Sequence, residues 1–485
     1  MTMAAIAQHS KLAFVPAPVL DRIHAPAART FTVTNPADGE PLAEVADFGA
    51  AEARAAADKA VAAFERYKRL TAYERGAIMR RWYTLMIEHE AALARLMSLE
   101  MGKPVTESRG EVRYAAGFVD WYAEEGKRIY GDTVPSAAAH KRLFAIKQPV
   151  GPVYAITPWN FPAAMGARKA APALAAGCTF IWKPAEQSPL TAIYLGWLWE
   201  QAGGDPDVLQ VLPSNQPIPM TEVFMRDQRI RKLTFTGSTE VGKILYSQSA
   251  ATMKRISLEL GGHAPFLVFA DADLDLAVKE VIACKFRNTG QTCVCTNRIY
   301  VHASIAQPFA EKMAAAVSAL RVGDPLDDKT QIGPLVDQQG LTKVKEHVAD
   351  AVARGAQVVV GGKAREGLFF DPTLLMGCTP DMRVMTEETF GPVAPILVFE
   401  DDAQAIHYAN DTEFGLAAYL YTRDLDRAIR VAEALEYGII GLNDGIPAVP
   451  QAPFGGVKNS GMGREGGKWG IEEYLDVKYI SLALH

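Results

Sequence analysis

The chain has 485 residues, 49% of them apolar and 22% charged, with a formal net charge of −6. That length suits two or three domains with large cores, and the charge leaves no positive field to gather nucleic acid or an anionic membrane. No apolar run reaches the roughly 18 residues a membrane-spanning helix needs, so neither a membrane nor a nucleic acid is expected as a partner.

The opening stretch, "MTMAAIAQHSKLAFVPAPVL", lacks the basic and then continuously apolar pattern of a secretory signal. Five cysteines (178, 284, 293, 295 and 378) in so long a chain make no disulfide framework. A reducing, cytoplasmic setting is therefore expected. There is no HExxH or CxxC pair and the histidines are scattered, so no metal site is expected.

In chain order, "AEARAAADKAVAAFER" (51–66) predicts a helix. A second, long helix runs from about Ala72, with Ile78, Trp82, Leu85, Met86, Leu93, Leu96 and Met97 on one face, until Gly102 and Pro104 stop it. Two alternating runs between 126 and 149 predict a projecting hairpin. From 151 the style changes: short apolar runs at 153–157, 179–183, 208–212, 232–237 and 255–260 alternate with helical segments. Such runs read as parallel strands covered on both faces, hence an α/β, doubly wound nucleotide-binding domain. After Gly261-Gly262 the alternation restarts at 265–269, with helices near 274–288 and 305–320 and strands at 298–301, 395–400, 418–422 and 439–443, giving a second α/β domain. The tail, "EEYLDVKYISLAL", ends as a strand suited to pair with the hairpin of a neighbouring subunit.

No GxGxxG follows a predicted strand; "FTGSTEVG" (235–242) does. Gly237 allows a sharp turn, and Ser238-Thr239 can cap a helix whose free N–H groups face a phosphate, although the same pattern also describes a plain capped helix. "KPAEQSP" (183–189) lies at the carboxyl end of another strand, where open α/β sheets bind ligands. Lys183 and Glu186 there suit the two hydroxyls of an adenosine ribose. A carboxylate at Glu186 repels a 2′-phosphate, so NAD is expected ahead of NADP.

Cys293 follows a helix that "NTG" ends, with Gly290 suited to a left-handed cap. A loop cysteine is better placed to react than Cys178, which enters a strand, or Cys284 on a helix face, and an ionised sulfur is expected at Cys293. His302 is the sole histidine within twenty residues of Cys293 in the sequence and lies past the strand that follows it, so Glu259 in "LELGG" is the better base, its pKa raised by desolvation at a strand end. Asn160 in "ITPWNFP" can aim its amide at an oxyanion, or serve as a helix cap.

The ordered set "TPWNFP", "KPAEQSP", "FTGSTEVG", "LELGG", "GQTCVC", "EETFGP" and "PFGGVKNSGMGREGG" resembles the aldehyde dehydrogenase superfamily from about residue 30 to the C-terminus. "FPAAMGARKAAPALAAGC" and "KFRNTGQTCVCTNR" most resemble succinate-semialdehyde dehydrogenases. The resemblance implies that Cys293 attacks the aldehyde carbon, Asn160 and the Cys293 N–H hold the oxyanion of the thiohemiacetal, and Glu259 activates water against the thioester. It puts Thr157, Pro158, Trp159, Gly237, Ser238 and Leu260 along the dinucleotide groove, Lys183, Ala185 and Glu186 at its adenosine end, and Glu388 and Phe390 at the nicotinamide riboside. It implies a substrate tunnel with Met165, Arg168, Arg287 and Val449, the two arginines clamping a substrate carboxylate. Its domains are 1–125 with 150–260, 261–465, and an oligomerisation element of 126–149 with 466–485, in a homodimer or homotetramer.

Two departures stand out. "DGIPAVPQAPFGG" (444–456) carries Pro447, Ala448, Val449 and Pro450 where the resembled enzymes carry a carboxylate-binding serine, which opens the pocket to glutaric or 2-oxoglutaric semialdehyde beside succinic semialdehyde. His263 stands where asparagine is common. Cys295 is either a redox partner for Cys293 or a small loop residue. The rival functions are a CoA-acylating dehydrogenase, which Glu259 opposes, and a catalytically silent binding protein, which Cys293, Glu259 and Asn160 together oppose.

Overall fold

The computed structural model describes residues 11–485; residues 1–10, half of the stretch read for a leader, lie outside the described residues. Helix Ala50–Tyr67 buries Ala53, Ala56, Ala57, Ala60 and Ala63 on one face, and Glu52 closes its start by accepting the Gly49 N–H at 2.8 Å. Helix Ala72–Glu88 opens with a reciprocal cap, Thr71 Oγ1 accepting from Glu74 N at 3.2 Å and Glu74 Oε2 from Thr71 N at 2.7 Å. The single long helix expected from Ala72 is in fact two, broken at His89 before Glu90–Met101. His89 leaves the helical backbone region while its ring nitrogen Nδ1 bonds Tyr194 Oη at 2.8 Å, and a side-chain anchor of this kind gives no periodicity signal. Gly102, at φ +82°, ends the second helix in the left-handed conformation that favours glycine.

Three sheets organise the rest. The six-stranded sheet runs Gly461–Met462, Arg255–Glu259, Lys232–Thr236, Val153–Ile156, Phe180–Lys183, Leu209–Val211, parallel throughout except at Gly461–Met462. From Val153–Ile156 the chain steps outward one way through the next two strands, then returns to lay the following two on the other side. The strand order therefore reverses between Val153–Ile156 and Lys232–Thr236, the crevice where open α/β sheets take ligands. The seven-stranded sheet runs Gln357–Val360, Thr373–Met376, Val393–Phe399, Thr296–His302, Ala264–Val268, Ala417–Tyr421, Ile439–Leu442, antiparallel only at its first pair. The chain passes between these sheets across Leu260–His263 and comes back at Gly461, which pairs with Glu259.

The third sheet joins Leu475–Ala483, Lys141–Pro149 and Asp132–Val134. The C-terminal strand pairs along nine residues with the hairpin of its own chain, not with a neighbour's as expected. Its partner strand is within reach because Val150 N donates to Tyr474 O at 3.0 Å and brings the two segments side by side. The strands Thr30–Thr34, Pro41–Ala46, Gln357–Val360, Thr373–Met376 and Gly461–Met462 went unread in the sequence, each being short or lacking clean alternation. Among the described residues no helix is long and apolar enough to cross a membrane, and no group of histidine, cysteine or acidic side chains could hold a metal ion.

Candidate active site

Helix Leu274–Phe286 ends in a left-handed turn in which Asn288, Thr289 and Gly290 take φ values of 50°, 57° and 75°. Only glycine adopts this freely, so the turn is held from outside. Thr289 Oγ1 exchanges hydrogen bonds with Gly333, donating to its carbonyl at 3.2 Å and accepting its N–H at 3.0 Å. Asn288 Nδ2 donates to the carbonyls of Asn160 at 3.1 Å and Gln291 at 3.2 Å. At Gly290 a side chain would meet the Gly391 carbonyl at 2.2 Å. The turn delivers Cys293 into a loop ahead of strand Thr296–His302.

Cys293 is partly accessible, unlike Cys178, Cys284, Cys295 and Cys378. Its thiol is pushed up to about 12, foremost by burial among protein atoms; Glu388 and Glu259 add to the rise, and Arg168 and Arg287 oppose it. The expectation of an ionised sulfur is therefore corrected: in the free protein desolvation and two carboxylates outweigh two guanidinium groups, and the thiol keeps its proton at neutral pH.

Glu259 closes strand Arg255–Glu259, and its Oε2 is buried without a hydrogen-bond partner. Burial first, then the neighbouring Glu465, raise its pKa well above the carboxylate range against the pull of Arg168, Lys169 and Arg464. Gly455 leaves room for it: a Cβ there would sit 2.8 Å from Glu259 Oε1. Asn160 is tied into the same loop, its Nδ2 donating to Gln291 O at 3.0 Å and its carbonyl accepting from Lys103 Nζ at 2.8 Å.

Two cavities meet at Cys293. One, about 280 Å³, lies over the sheet's reversal point and is lined by Trp159 and Asn160, by Gly237 and Ser238, and by Leu260, Glu388 and Phe390. The other, about 320 Å³, is lined by Glu107, Tyr114, Met165, Arg168 and Arg287 together with Phe161 and Phe454. A thiol at the junction can meet one molecule from each side.

The aldehyde dehydrogenase family profile matches residues 23–480. The chain belongs to that family. It is 56% identical over 454 residues to a succinate-semialdehyde dehydrogenase named for NADP(+) from Escherichia coli, covering 93% of this chain and 94% of that one. It is 53% identical to a glutarate-semialdehyde dehydrogenase from Pseudomonas putida, covering 94% and 95%. Among solved structures, a betaine aldehyde dehydrogenase from Staphylococcus aureus in complex with NAD+ superposes with a TM-score of 0.94 at 33% identity, covering 98% of this chain and 97% of that one. The chain is thus an aldehyde dehydrogenase, and the dinucleotide of this family is NAD or NADP.

The first cavity fits such a dinucleotide. Ser238 caps helix Thr239–Ser249, accepting from Val241 N, and leaves that helix's first N–H groups beside the cavity. Gly261 keeps it open, since a side chain there would crowd Glu388 Oε2 at 3.2 Å. Glu388 Oε1 accepts from Gly262 N at 3.2 Å, and burial pushes its carboxyl up to about 7, a group able to accept from or donate to a ribose diol. Phe390, at φ 56°, stands edge-on to Trp159 with ring centroids 5.6 Å apart.

Not every expected residue gathers there. Pro158, Trp159, Gly237, Ser238, Leu260, Glu388 and Phe390 line the first cavity; Thr157, Lys183, Ala185 and Glu186 do not. Thr157 Oγ1 accepts from Trp182 Nε1 at 2.8 Å, and Lys183 Nζ pairs with Glu186 Oε2 at 2.9 Å.

On the substrate side one further correction applies, to Val449, and of the two readings of Cys295 the small packed residue fits. Val449 is 37% exposed and turned away from the second cavity, which Ile446 and Ala448 line instead, because adjacent residues of an extended loop face opposite ways. Cys295 is fully buried, its Sγ taking a hydrogen bond from Lys285 Nζ at 3.4 Å and donating to Lys285 O at 3.3 Å. The turn at Cys293–Val294 swings it into the core, away from both cavities, so it is a packed thiol and not a poised redox partner.

Four residues of the site went unread. Glu465 pairs with both Arg168 and Lys169. Glu107, Tyr114 and Phe454 line the second cavity. Glu465 and Phe454 stand inside a motif the sequence already offered; the other two carry no local signal. His263 is buried, and burial keeps its ring neutral, its pKa well below the usual value.

Proposed function

We propose that this aldehyde dehydrogenase oxidises a semialdehyde, an aldehyde whose far end carries a carboxylate, with Cys293 as nucleophile, Asn160 as oxyanion donor and Glu259 as base. The observation that carries the substrate class is Arg287. Its guanidinium borders the second cavity, its Nε is buried without a hydrogen-bond partner among the described residues, and its carbon lies over the face of Phe161 at 5.4 Å. A half-buried arginine with unfilled donors calls for an anion. Arg168, in the lining of the same cavity, adds charge from above Phe454 at 4.2 Å, with Nη2 unpartnered. The names of the relatives, succinate- and glutarate-semialdehyde dehydrogenase, support the same class.

In this reading the aldehyde lies in the second cavity with its carboxylate at the arginines and its carbonyl at Cys293. Sγ adds to the carbonyl carbon as the thiol proton passes to Glu259, which must first be ionised. Arg168 and Lys169 favour that ionised form. The second N–H of Asn160 Nδ2 and the Cys293 N–H receive the developing oxyanion. The chemistry that NAD or NADP supplies when bound is that of a hydride acceptor. Glu259 releases the thiol's proton to solvent, takes another from the water that attacks the thioester, and returns that one to Sγ as the acid leaves. Trp159, Ser238 and Phe390 would hold the dinucleotide, and Glu388 would take its ribose.

A carboxylate at Glu186 disfavours a 2′-phosphate and is the ground on which NAD is proposed ahead of NADP; the NADP(+) in the names of two relatives belongs to those proteins. Succinic semialdehyde is the first choice of substrate and glutaric semialdehyde the second. The exposed apolar edge of Val477, Tyr479 and Leu482 supports assembly into a homodimer or homotetramer, and five free cysteines support a reducing cytoplasm. A panel of ω-carboxy aldehydes against uncharged aldehydes of equal length tests the proposal. Higher kcat/KM for the carboxylates is expected; equal values on both would end it.

A further inference from the structure

Glu107 is an acid in a cavity otherwise equipped to hold an anion. It opens helix Val105–Glu125, is only partly covered, and borders the same cavity as Arg287, Arg168 and Tyr114. Its Oε2 accepts the Asn288 N–H at 2.7 Å, which fastens the start of the helix to the left-handed turn that follows Arg287. Its Oε1 has no hydrogen-bond partner among the described residues.

The charges around it do not cancel it. Lys103, just before the helix, is taken up by Glu111 and by the Asn160 carbonyl. Glu111, one turn on, is a second acid that also accepts from Ala163 N and Ala164 N. Arg287, from the facing turn, makes no ion pair among the described residues. Arg168, across the cavity, is held by Glu465. An incoming carboxylate and Glu107 therefore compete for one unpaired guanidinium.

Resting on the semialdehyde reading, we infer that Glu107 takes a proton from solvent when a substrate carboxylate enters the cavity, and donates that proton back as an O–H hydrogen bond to the carboxylate beside Arg287. Glu107 is thus a specificity-determining residue that makes the preference for ω-carboxy aldehydes depend on pH. The O–H bond formed on Glu107 is balanced by the bond to hydrogen broken in a buffer acid; one proton leaves the buffer for each carboxylate bound. Two carboxyl groups in one pocket share a proton for the same reason wherever they meet: both cannot stay charged at close range. The acidity of the free protein agrees, since burial pushes the Glu107 carboxyl up to about 6 while the Asn288 N–H, Lys103 and Arg287 hold it from rising further.

The test is the ratio of KM for an ω-carboxy aldehyde to KM for an uncharged aldehyde of equal length, followed from about pH 6 to about pH 8. Taking the ratio within one protein removes the titration of Cys293 and Glu259, which both substrates share. In the native enzyme the ratio is expected to climb toward about tenfold per pH unit above the Glu107 pKa. In Glu107→Gln, which keeps an oxygen for the Asn288 N–H, it is expected to stay flat, and in Glu107→Asp to climb again. Calorimetry of butanoate binding to the native enzyme in two buffers of different ionisation enthalpy needs no variant, and uptake approaching one proton per ligand is expected near neutral pH. The same climb in Glu107→Gln, or no proton uptake by the native enzyme, overturns the inference. If neither protein favours the carboxylate at any pH, the semialdehyde reading falls and takes this inference with it; a carboxylate preference with a flat native ratio defeats this inference alone.

Discussion

The guanidinium of Arg168 lies against the carboxylate of Glu465, which also holds Lys169, so the tunnel arginine is already paired inside the protein. All three side chains are almost wholly buried, at 1%, 5% and 0% exposure for Arg168, Glu465 and Lys169. Replacing Glu465 by Gln leaves two buried cations facing a neutral amide. Breaking a buried pair from one side costs about 3–5 kcal/mol, so a lower urea midpoint is expected for Glu465→Gln. The folded fraction carries a second signal. Glu465 raises the Glu259 pKa, hence its removal lowers that pKa and should move the acid limb of kcat to lower pH. An unmoved limb would show that the two acids are not electrostatically linked.

Glu259 itself gives a kinetic prediction whose sign follows from its environment. Its pKa is raised, so it is protonated below that value and becomes a base only above it, and kcat should rise with pH on the acid side. Glu259→Gln should lose that limb. If deacylation is its main task, the variant retains a burst of NADH on mixing and then turns over slowly. Loss of the burst in a protein whose thiol still reacts normally with iodoacetamide would contradict a role confined to deacylation.

How far the sequence alone reaches is visible residue by residue. Cys293, Glu259 and Asn160 stand in short motifs at strand or helix ends, where local chemistry and chain position say the same thing; Cys293 and Asn160 line the first cavity, and Glu259, which lines neither, lies near enough to raise the Cys293 pKa. The alternation of apolar runs from 153 onward exposed the parallel sheet because strands covered on both faces are apolar throughout. Glu107 and Tyr114 stayed hidden for the opposite reason. They lie on a helix whose periodicity reports only its packed face, and their meeting with Arg287 joins positions 181 residues apart where Glu107 bonds Asn288. Val449 failed for want of local geometry: composition cannot say which of two adjacent loop residues turns inward. The ionised thiol failed because desolvation depends on everything packed around the sulfur, which no motif encodes.

Glu186 provides a cofactor test. It pairs with Lys183 at 2.9 Å, and its side chain is 38% exposed, so solvent screens its field and only a phosphate close by would feel it. Glu186→Ser removes the negative charge while keeping a hydroxyl for the ribose. The ratio of kcat/KM with NADP to that with NAD should rise about tenfold, the effect of roughly 1.4 kcal/mol of relieved repulsion. A native enzyme already more efficient with NADP would overturn the charge argument at its root.

Arg287 yields the sharpest substrate test because, unlike Arg168, it makes no ion pair among the described residues. A charge-assisted hydrogen bond to an ion is worth about 1.5–3 kcal/mol, so Arg287→Ala should raise KM for an ω-carboxy aldehyde by about 10- to 100-fold and spare an uncharged aldehyde of equal length. Arg287→Lys separates charge from shape. A lysine restores a point charge but not the planar fork that grips both oxygens of a carboxylate, and its recovery should be partial. The stacking of the guanidinium on Phe161 at 5.4 Å fixes the plane of that fork, so Phe161→Leu should weaken the carboxylate substrate in the same direction and by less. Equal losses on charged and uncharged aldehydes in all three variants would mean that Arg287 shapes the tunnel without binding the substrate's anionic end.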